Sequence, residues 1–321
     1  MTEDSKDRPI AIVAMGGHAF MKPGERGTFE DHERNAASIA GHLMTLVERQ
    51  YNLVITHGNG PQVGNSLLRN EMARDEVPSM PLDVLVADTA GSLGYIMQQA
   101  MLNQLRRRHI ERWVVTVVSQ VLVGADDPAF NKPTKPIGPF LTQEEAERRR
   151  DQLDWEIIED SGRGWRRVVP SPKPQKIFQG PMIRDSAVQG HIVISCGGGG
   201  VPVRYNENND IVGVEAVIDK DLTSSLLGIE ITAELMIILT DVEHVYLNYK
   251  TPDERPLHAV TLAETEEFIR QGHFPAGSMG PKVTAVASFL RGGGKRGLIT
   301  SPSRLRDALD GRAGTHFIGR V

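Results

Sequence analysis

The chain has 321 residues, 40% of them hydrophobic, which is enough for a sizeable core in one large α/β domain or two lobes. Its formal net charge of −5 gives no whole-chain attraction to nucleic acid or to an anionic membrane, so neither is expected as a partner. The one cysteine, Cys196, excludes an intrachain disulfide, no apolar run approaches the roughly 18 residues of a membrane span, and Met1–Pro9 lacks the apolar core of a secretory signal, so a cytoplasmic protein is expected.

Ile10–Met15 is an apolar run ending in Gly16-Gly17, which predicts a buried strand breaking into a tight turn. Apolar positions at Ala36, Ile39, Ala40, Leu43, Leu46 and Val47 predict an amphipathic helix over 31–50. Leu53–Thr56 predicts the next strand, ending in His57-Gly58-Asn59-Gly60-Pro61, with a helix following around Val63, Leu67, Leu68 and Met72. A helix is expected over 92–106 and a β-branched strand over Trp113–Val118. Ile192–Ser195 reads as a strand running into Cys196-Gly197-Gly198-Gly199-Gly200, and Leu235–Leu239 as one ending at Thr240-Asp241. Thr261 and Glu264 form a capping box before a helix near 262–271, a further helix is expected over 281–290, and Gly297–Thr300 closes the series as a strand. Repeated strand–turn–helix units imply a mostly parallel sheet with helices on both faces. Residues 125–190 break the rhythm with Pro128, Pro133, Pro136, Pro139, Pro170, Pro172 and Pro174, Trp165 and a charged helix near 142–153, and read as a small inserted subdomain.

Three strand ends share one design: Gly16-Gly17, Gly58-Asn59-Gly60, and Gly197 to Gly200. Glycine lets the backbone approach a ligand closely, and a following helix supplies free N–H groups and a positive dipole end, so the combination suits phosphate. The usual nucleotide motifs fail. A P-loop ending at Gly294-Lys295 would need glycine at Phe289 and a hydroxyl residue at Arg296, and a dinucleotide fingerprint from Gly197 would need glycine at Pro202.

Phosphoryl transfer needs positioning and positive charge more than covalent help, which directs attention to lysines in unusual settings. Lys135 sits in the stiff run Pro133-Thr134-Lys135-Pro136, Lys220 lies between Asp219 and Asp221, and Lys282 follows Gly277-Ser278-Met279-Gly280-Pro281. The histidines show no metal-ligand spacing, so no protein metal site is expected, and no basic neighbour marks Cys196 as an activated nucleophile.

The stretches His57 to Gly64, Pro133 to Pro139, Gly162 to Pro174, Ser195 to Gly200, Gly213 to Asp221 and Gly277 to Lys282 resemble the carbamate kinase family, in that family's order and across nearly the whole chain. The resemblance implies the amino acid kinase fold, an open αβα sandwich, and a homodimer. It implies an acceptor lobe over 1–124 with 191–212, a subdomain over 125–190 covering the active site, and a nucleotide lobe over 213–321. It implies reversible phosphoryl transfer between ATP and carbamate, often toward ATP, with Mg²⁺ bridging the nucleotide phosphates. Lys135 would reach the transferred group, while Lys220 and Lys282 would neutralise phosphate charge, with Asp221 orienting them. Gly16, Gly17, Gly58, Asn59, Gly60, Gly197 and Gly198 would present donors to acceptor and phosphate, and Asp241, Val242, Tyr246 and Met279 would line the nucleotide pocket. The family's usual Gly-Gly-Asn is Gly16-Gly17-His18 here, and its Met-Thr-Gln-Gly is Asp88-Thr89-Ala90-Gly91. Both segments belong to the acceptor side, so a different small anionic acceptor, with His18 binding it, stays open, as does a catalytically weak nucleotide sensor.

Overall fold

The computed structural model describes residues 7–16, 19–22, 24–160, 162–275 and 278–319. In chain order the first half contains β1 (Ile10–Met15), α1 (Phe29–Glu48), β2 (Asn52–His57), α2 (Gly60–Ala73), α3 (Leu82–Arg107), β3 (Val114–Val117), β4 (Gln120–Val123), β5 (Lys135–Leu141), α4 (Gln143–Leu153), β6 (Ile157–Glu159) and β7 (Trp165–Val169). There follow β8 (Pro174–Ile177), α5 (Gly180–Val188), β9 (Ile192–Ser195), β10 (Val201–Tyr205), β11 (Ile211–Gly213), α6 (Lys220–Glu230) and β12 (Leu235–Leu239). The chain closes through β13 (Val245–Leu247), β14 (Arg255–Leu257), β15 (Ala259–Thr261), α7 (Leu262–Arg270), α8 (Met279–Arg291), β16 (Arg296–Thr300), α9 (Leu305–Leu309) and β17 (Thr315–Ile318).

The main sheet runs β15-β17-β16-β12-β1-β2-β9-β3 and is parallel except where β17 pairs antiparallel with β16. Strand alternation splits its core into two layers. Ala11, Val13 and Met15 of β1 pack with Ala36 and Leu43 of α1 and Met97 of α3, while Ile10, Ile12 and Ala14 pack with Leu227 of α6 and Val283 and Phe289 of α8. The sheet with helices on both faces is the architecture expected from the sequence. From β1 the order grows one way through β2, β9 and β3 and the other way through β12 and β16. Such a reversal of direction opens a crevice at the carboxyl ends of the strands, where open α/β sheets bind ligands.

The structure changes some sequence-based bounds. Helix α1 starts at Phe29 because Thr28 and Asp31 form a capping box. The helix expected over 92–106 is the second half of α3, which begins ten residues earlier with Leu82, Leu85 and Val86 on its buried face. Gly91 and Gly94 interrupt the apolar pattern there. Gly94 is a packing site: a side-chain carbon on it would lie 2.3 Å from Thr116 Cγ2 on β3. The sheet does not close at β16, since β17 returns beside it.

Within 125–190, β5, β7 and β6 form their own antiparallel sheet, carrying α4 capped by Thr142 and Glu145. By contrast, β8 pairs with β4 in a separate sheet, β11-β10-β4-β8, and α5 packs Ile183 and Ala187 into the layer beneath the main sheet. The β5–β7 layer docks on α2 and α3 through Val63, Leu85, Ile137 and Val169. Glu71 of α2 accepts from Trp155 Nε1 at 3.1 Å and pairs with Arg167.

Candidate active site

The site is built from the entry to α6. Ala216, Val217 and Ile218 are buried and deliver Asp219 to the N-cap position, where its Oδ1 accepts from the amides of Asp221 at 2.9 Å and Leu222 at 3.3 Å. Lys220 and Asp221 therefore occupy the first turn of a helix whose N-terminus already favours negative charge. The two oxygens of the buried Asp221 carboxylate each take one lysine: Lys220 Nζ lies 2.5 Å from Oδ1 and Lys282 Nζ 3.4 Å from Oδ2. Lys282 comes from the first turn of α8 and also donates to Ser278 O at 3.3 Å. Lys135, at the start of β5, crosses to Asp219 Oδ2 at 2.6 Å.

Three ammonium groups against two carboxylates leave one positive charge in this cluster, beside a helix N-terminus. Burial pulls the Lys220 ammonium below the usual lysine range, against the opposing attraction of Asp221. Burial also opposes ionisation of Asp219, but the charges of Lys135 and Lys220 prevail and hold its carboxyl far below the usual range. An arriving polyanion relieves the excess positive charge, so the cluster is suited to phosphate.

A cavity of about 970 Å³ opens over Lys220 and Lys282 at the carboxyl ends of β1, β12 and β16. Lys220 and Lys282 share it with Gly16 and with Asp241, Val242, Tyr246 and Met279. Arg163, from the β6–β7 connection, reaches the same cavity, and its guanidinium lies 4.9 Å from the Phe140 ring. Lys135 and Asp221 join the group through their ion pairs.

Gly58, Asn59, Gly60, Gly197 and Gly198 form an adjoining cluster. Gly58 donates to Met15 O at 3.0 Å, which ties the β2 end to the β1 end. Gly198 has φ +70°, and a side-chain carbon on it would lie 2.2 Å from Asn59 Nδ2. That same Nδ2 donates to Thr89 Oγ1 at 2.8 Å. Gly60 opens α2 without a side-chain cap, 4.0 Å from Arg166 Nη2 when measured from the position a Cβ would take. Gly199 links this cluster to the lysines, since its carbonyl accepts from Thr223 Oγ1 of α6 at 2.9 Å. Gly17 and His18 lie outside the described residues. On α3, Ala90 is buried and its Cα would lie 2.9 Å from a side-chain carbon on Gly197, whereas Asp88 is exposed.

Reasoning from sequence gave no role to His57, Asp219 or Arg163. An N-cap search ahead of α6 could have found Asp219, but its pairing with Lys135 spans 84 residues and has no local trace. His57 is wholly buried, with Nδ1 3.1 Å from Gly58 O and its ring edge-on to Phe20. Burial lowers its pKa to about 4. The unfolded chain binds this proton near pH 6.5 and the folded chain only near 4, so stability falls as pH drops through that window and the loss is complete below it. At about 1.4 kcal/mol per pKa unit, the loss is roughly 3 kcal/mol. His57→Gln is expected to flatten the acid limb of the stability–pH curve between pH 6.5 and 4, read by denaturant midpoints. An unchanged slope would assign that limb to other groups. Cys196 is buried as well, and burial pushes its thiol up to about 12, which leaves it unreactive.

Fold and site together define an open α/β crevice protein with lysines at the carboxyl ends of its strands, outside the P-loop group. Residues 9–301 match the model for the amino acid kinase family. The carbamate kinase of Thermococcus kodakarensis is 45% identical over 310 residues, covering 96% of this chain and 98% of that protein. Among solved structures, carbamate kinase from Giardia lamblia bound to citric acid superposes with a TM-score of 0.93 at 40% identity, covering 98% of this chain and all of that one. The same enzyme bound to AMP-PNP gives 0.89 at 41%, with the same coverage. The chain belongs to the amino acid kinase family and, within it, to the carbamate kinases.

Proposed function

We propose that this chain catalyses reversible phosphoryl transfer between ATP and carbamate, forming ADP and carbamoyl phosphate. The observation that carries the reading is the set of lysines at the crevice, held by Asp219 and Asp221 with one positive charge in excess. Lys220 and Lys282 stabilise negative charge on the β- and γ-phosphates, Asp221 sets their spacing, and Lys135 reaches the group in transit. Transferring a phosphoryl group is mainly a matter of alignment and charge, and carbamate is already an anion, so no general base is required. The amides of Gly16, Gly58, Gly60, Gly197 and Gly198, with Asn59, hold the acceptor and the transferred phosphate, and Asp241, Val242, Tyr246 and Met279 hold the nucleotide.

Among the described residues no group of three or more His, Cys, Asp or Glu side chains could hold a metal ion. In this reading Mg²⁺ would enter with the nucleotide and would supply further neutralising charge beside the lysines. The reading extends to a homodimer. Strand β3 is a sheet edge, and Trp113 beside it is exposed. A second copy would cover such an edge.

The test is luminescent detection of ATP from ADP and carbamoyl phosphate, with acetyl phosphate as comparator. ATP formation that favours carbamoyl phosphate supports the reading. Nucleotide binding without turnover would contradict it and move the search to other small carboxylates, carbamates and phosphorylated acids.

A further inference from the structure

Asp219 joins the α6 turn to the subdomain, a junction to which the roles above give no separate task. Its two carboxylate oxygens have separate tasks. Oδ1 caps α6 through the amides of Asp221 and Leu222, while Oδ2 receives Lys135 at 2.6 Å from the β5–β7–β6 layer. That layer is otherwise anchored toward α2, by the apolar cluster around Ile137 and by Glu71 with Trp155 and Arg167. Lysine carries its charge on a flexible four-carbon stem, so an unpartnered Lys135 would spread over many rotamers. The structure gives it a partner on the same turn that carries Lys220 and Asp221.

We propose that Asp219 is a positioning residue that aligns the subdomain's Lys135 with the α6 turn carrying Lys220 and Asp221, so that Lys135 is placed beside the lysine pair that Asp221 spaces. The proposal rests on the phosphoryl-transfer reading. When phosphate enters, Lys135 exchanges part of its contact with Asp219 for the moving group while Oδ1 keeps the α6 turn fixed.

The two oxygen tasks can be separated by substitution. In Asp219→Asn, Oδ1 still caps the helix, because asparagine is as good an N-cap as aspartate. Its Nδ2, however, replaces the acceptor that holds Lys135. The expected result is an unchanged melting temperature, a KM for ADP within about 2-fold of wild type, and a kcat lowered by about 10²-fold, the scale of a misplaced reacting group. Asp219→Asn combined with Lys135→Met is expected to be no slower than Lys135→Met alone. Wild-type kcat in Asp219→Asn would overturn the proposal, as would losses that multiply in the double variant. A drop in melting temperature that accounts for the lost activity would overturn it too, by leaving Asp219 as a helix cap only. Absence of transfer by the wild-type chain would overturn the reading beneath the proposal, and the proposal with it.

Discussion

Lys220→Ala and Lys282→Ala are each expected to lower turnover about 10²–10³-fold while the chain stays folded. That is the usual cost of removing one preorganised donor to transition-state charge in a site shielded from water. The geometry explains why neither lysine can substitute for the other. Each is held to a different oxygen of Asp221 and projects from a different helix, so in the proposed mechanism the pair would flank the phosphates rather than duplicate one contact. Lys220 is the more buried of the two, with 11% of its side chain exposed against 18% for Lys282, and so has less water available to replace its charge. In either variant the remaining lysine keeps the buried Asp221 carboxylate paired, which favours retention of the fold. Steady-state kcat for ATP formation, with circular dichroism to check folding, measures this directly. Near-normal turnover in a folded variant would remove that lysine from the mechanism.

The second large effect is expected at Gly64, in the middle of α2. A side-chain carbon there would lie 2.0 Å from the amide nitrogen and 2.1 Å from the Cα of Gly138 on β5. Both obstacles are backbone, so no rotamer change relieves the clash. Alanine in place of a mid-helix glycine gains roughly 0.5–1 kcal/mol of helix propensity. Overpacking a tight contact costs about 1–3 kcal/mol or forces the elements apart. The second term wins, and the element that can yield is β5 with the layer it carries. Gly64→Ala should therefore displace Lys135 and lower kcat by about 10²-fold. It should also speed limited proteolysis within 135–169 while β1, β2 and the nucleotide side remain intact. Wild-type turnover and wild-type protease resistance together would show that the α2–β5 contact does not position Lys135.

The elements most legible in the sequence were the buried parallel strands. Ile192–Ser195 and Leu235–Leu239 are continuous apolar runs with sharp polar or glycine ends, and the observed strands have the same bounds. The capping box at Thr261 was an equally local signal, and α7 begins where it points. The first ten residues of α3 were lost because Asp88, Gly91 and Gly94 interrupt the pattern, although Gly94 is there to let the helix approach Thr116. Strand β17 and the short antiparallel sheets follow from pairings distant in sequence, which periodicity does not report.

For the site, the glycine strand ends and the three lysines could be singled out by residue type and flanks, but their assembly could not. The contact of Lys135 with Asp219, the sharing of Asp221 by Lys220 and Lys282 across 61 residues, and the approach of Arg163 to the cavity are products of the fold. Grouping Asp241, Val242, Tyr246 and Met279 came from family resemblance alone, and the fold sets them around one cavity. The exposed Asp88 illustrates the reverse case. Its departure from the family pattern drew attention in the sequence, yet its side chain faces solvent while neighbouring Ala90 packs beneath Gly197.

The central claim is direct transfer of a phosphoryl group across the lysine-lined crevice. A single-turnover experiment with ³²P-labelled carbamoyl phosphate, excess chain and ADP tests it most closely. The label is expected in the γ-phosphate of ATP, with none retained on the protein, and the transfer should slow sharply in Lys220→Ala. Label released only as inorganic phosphate, or fixed on the chain, would contradict the account.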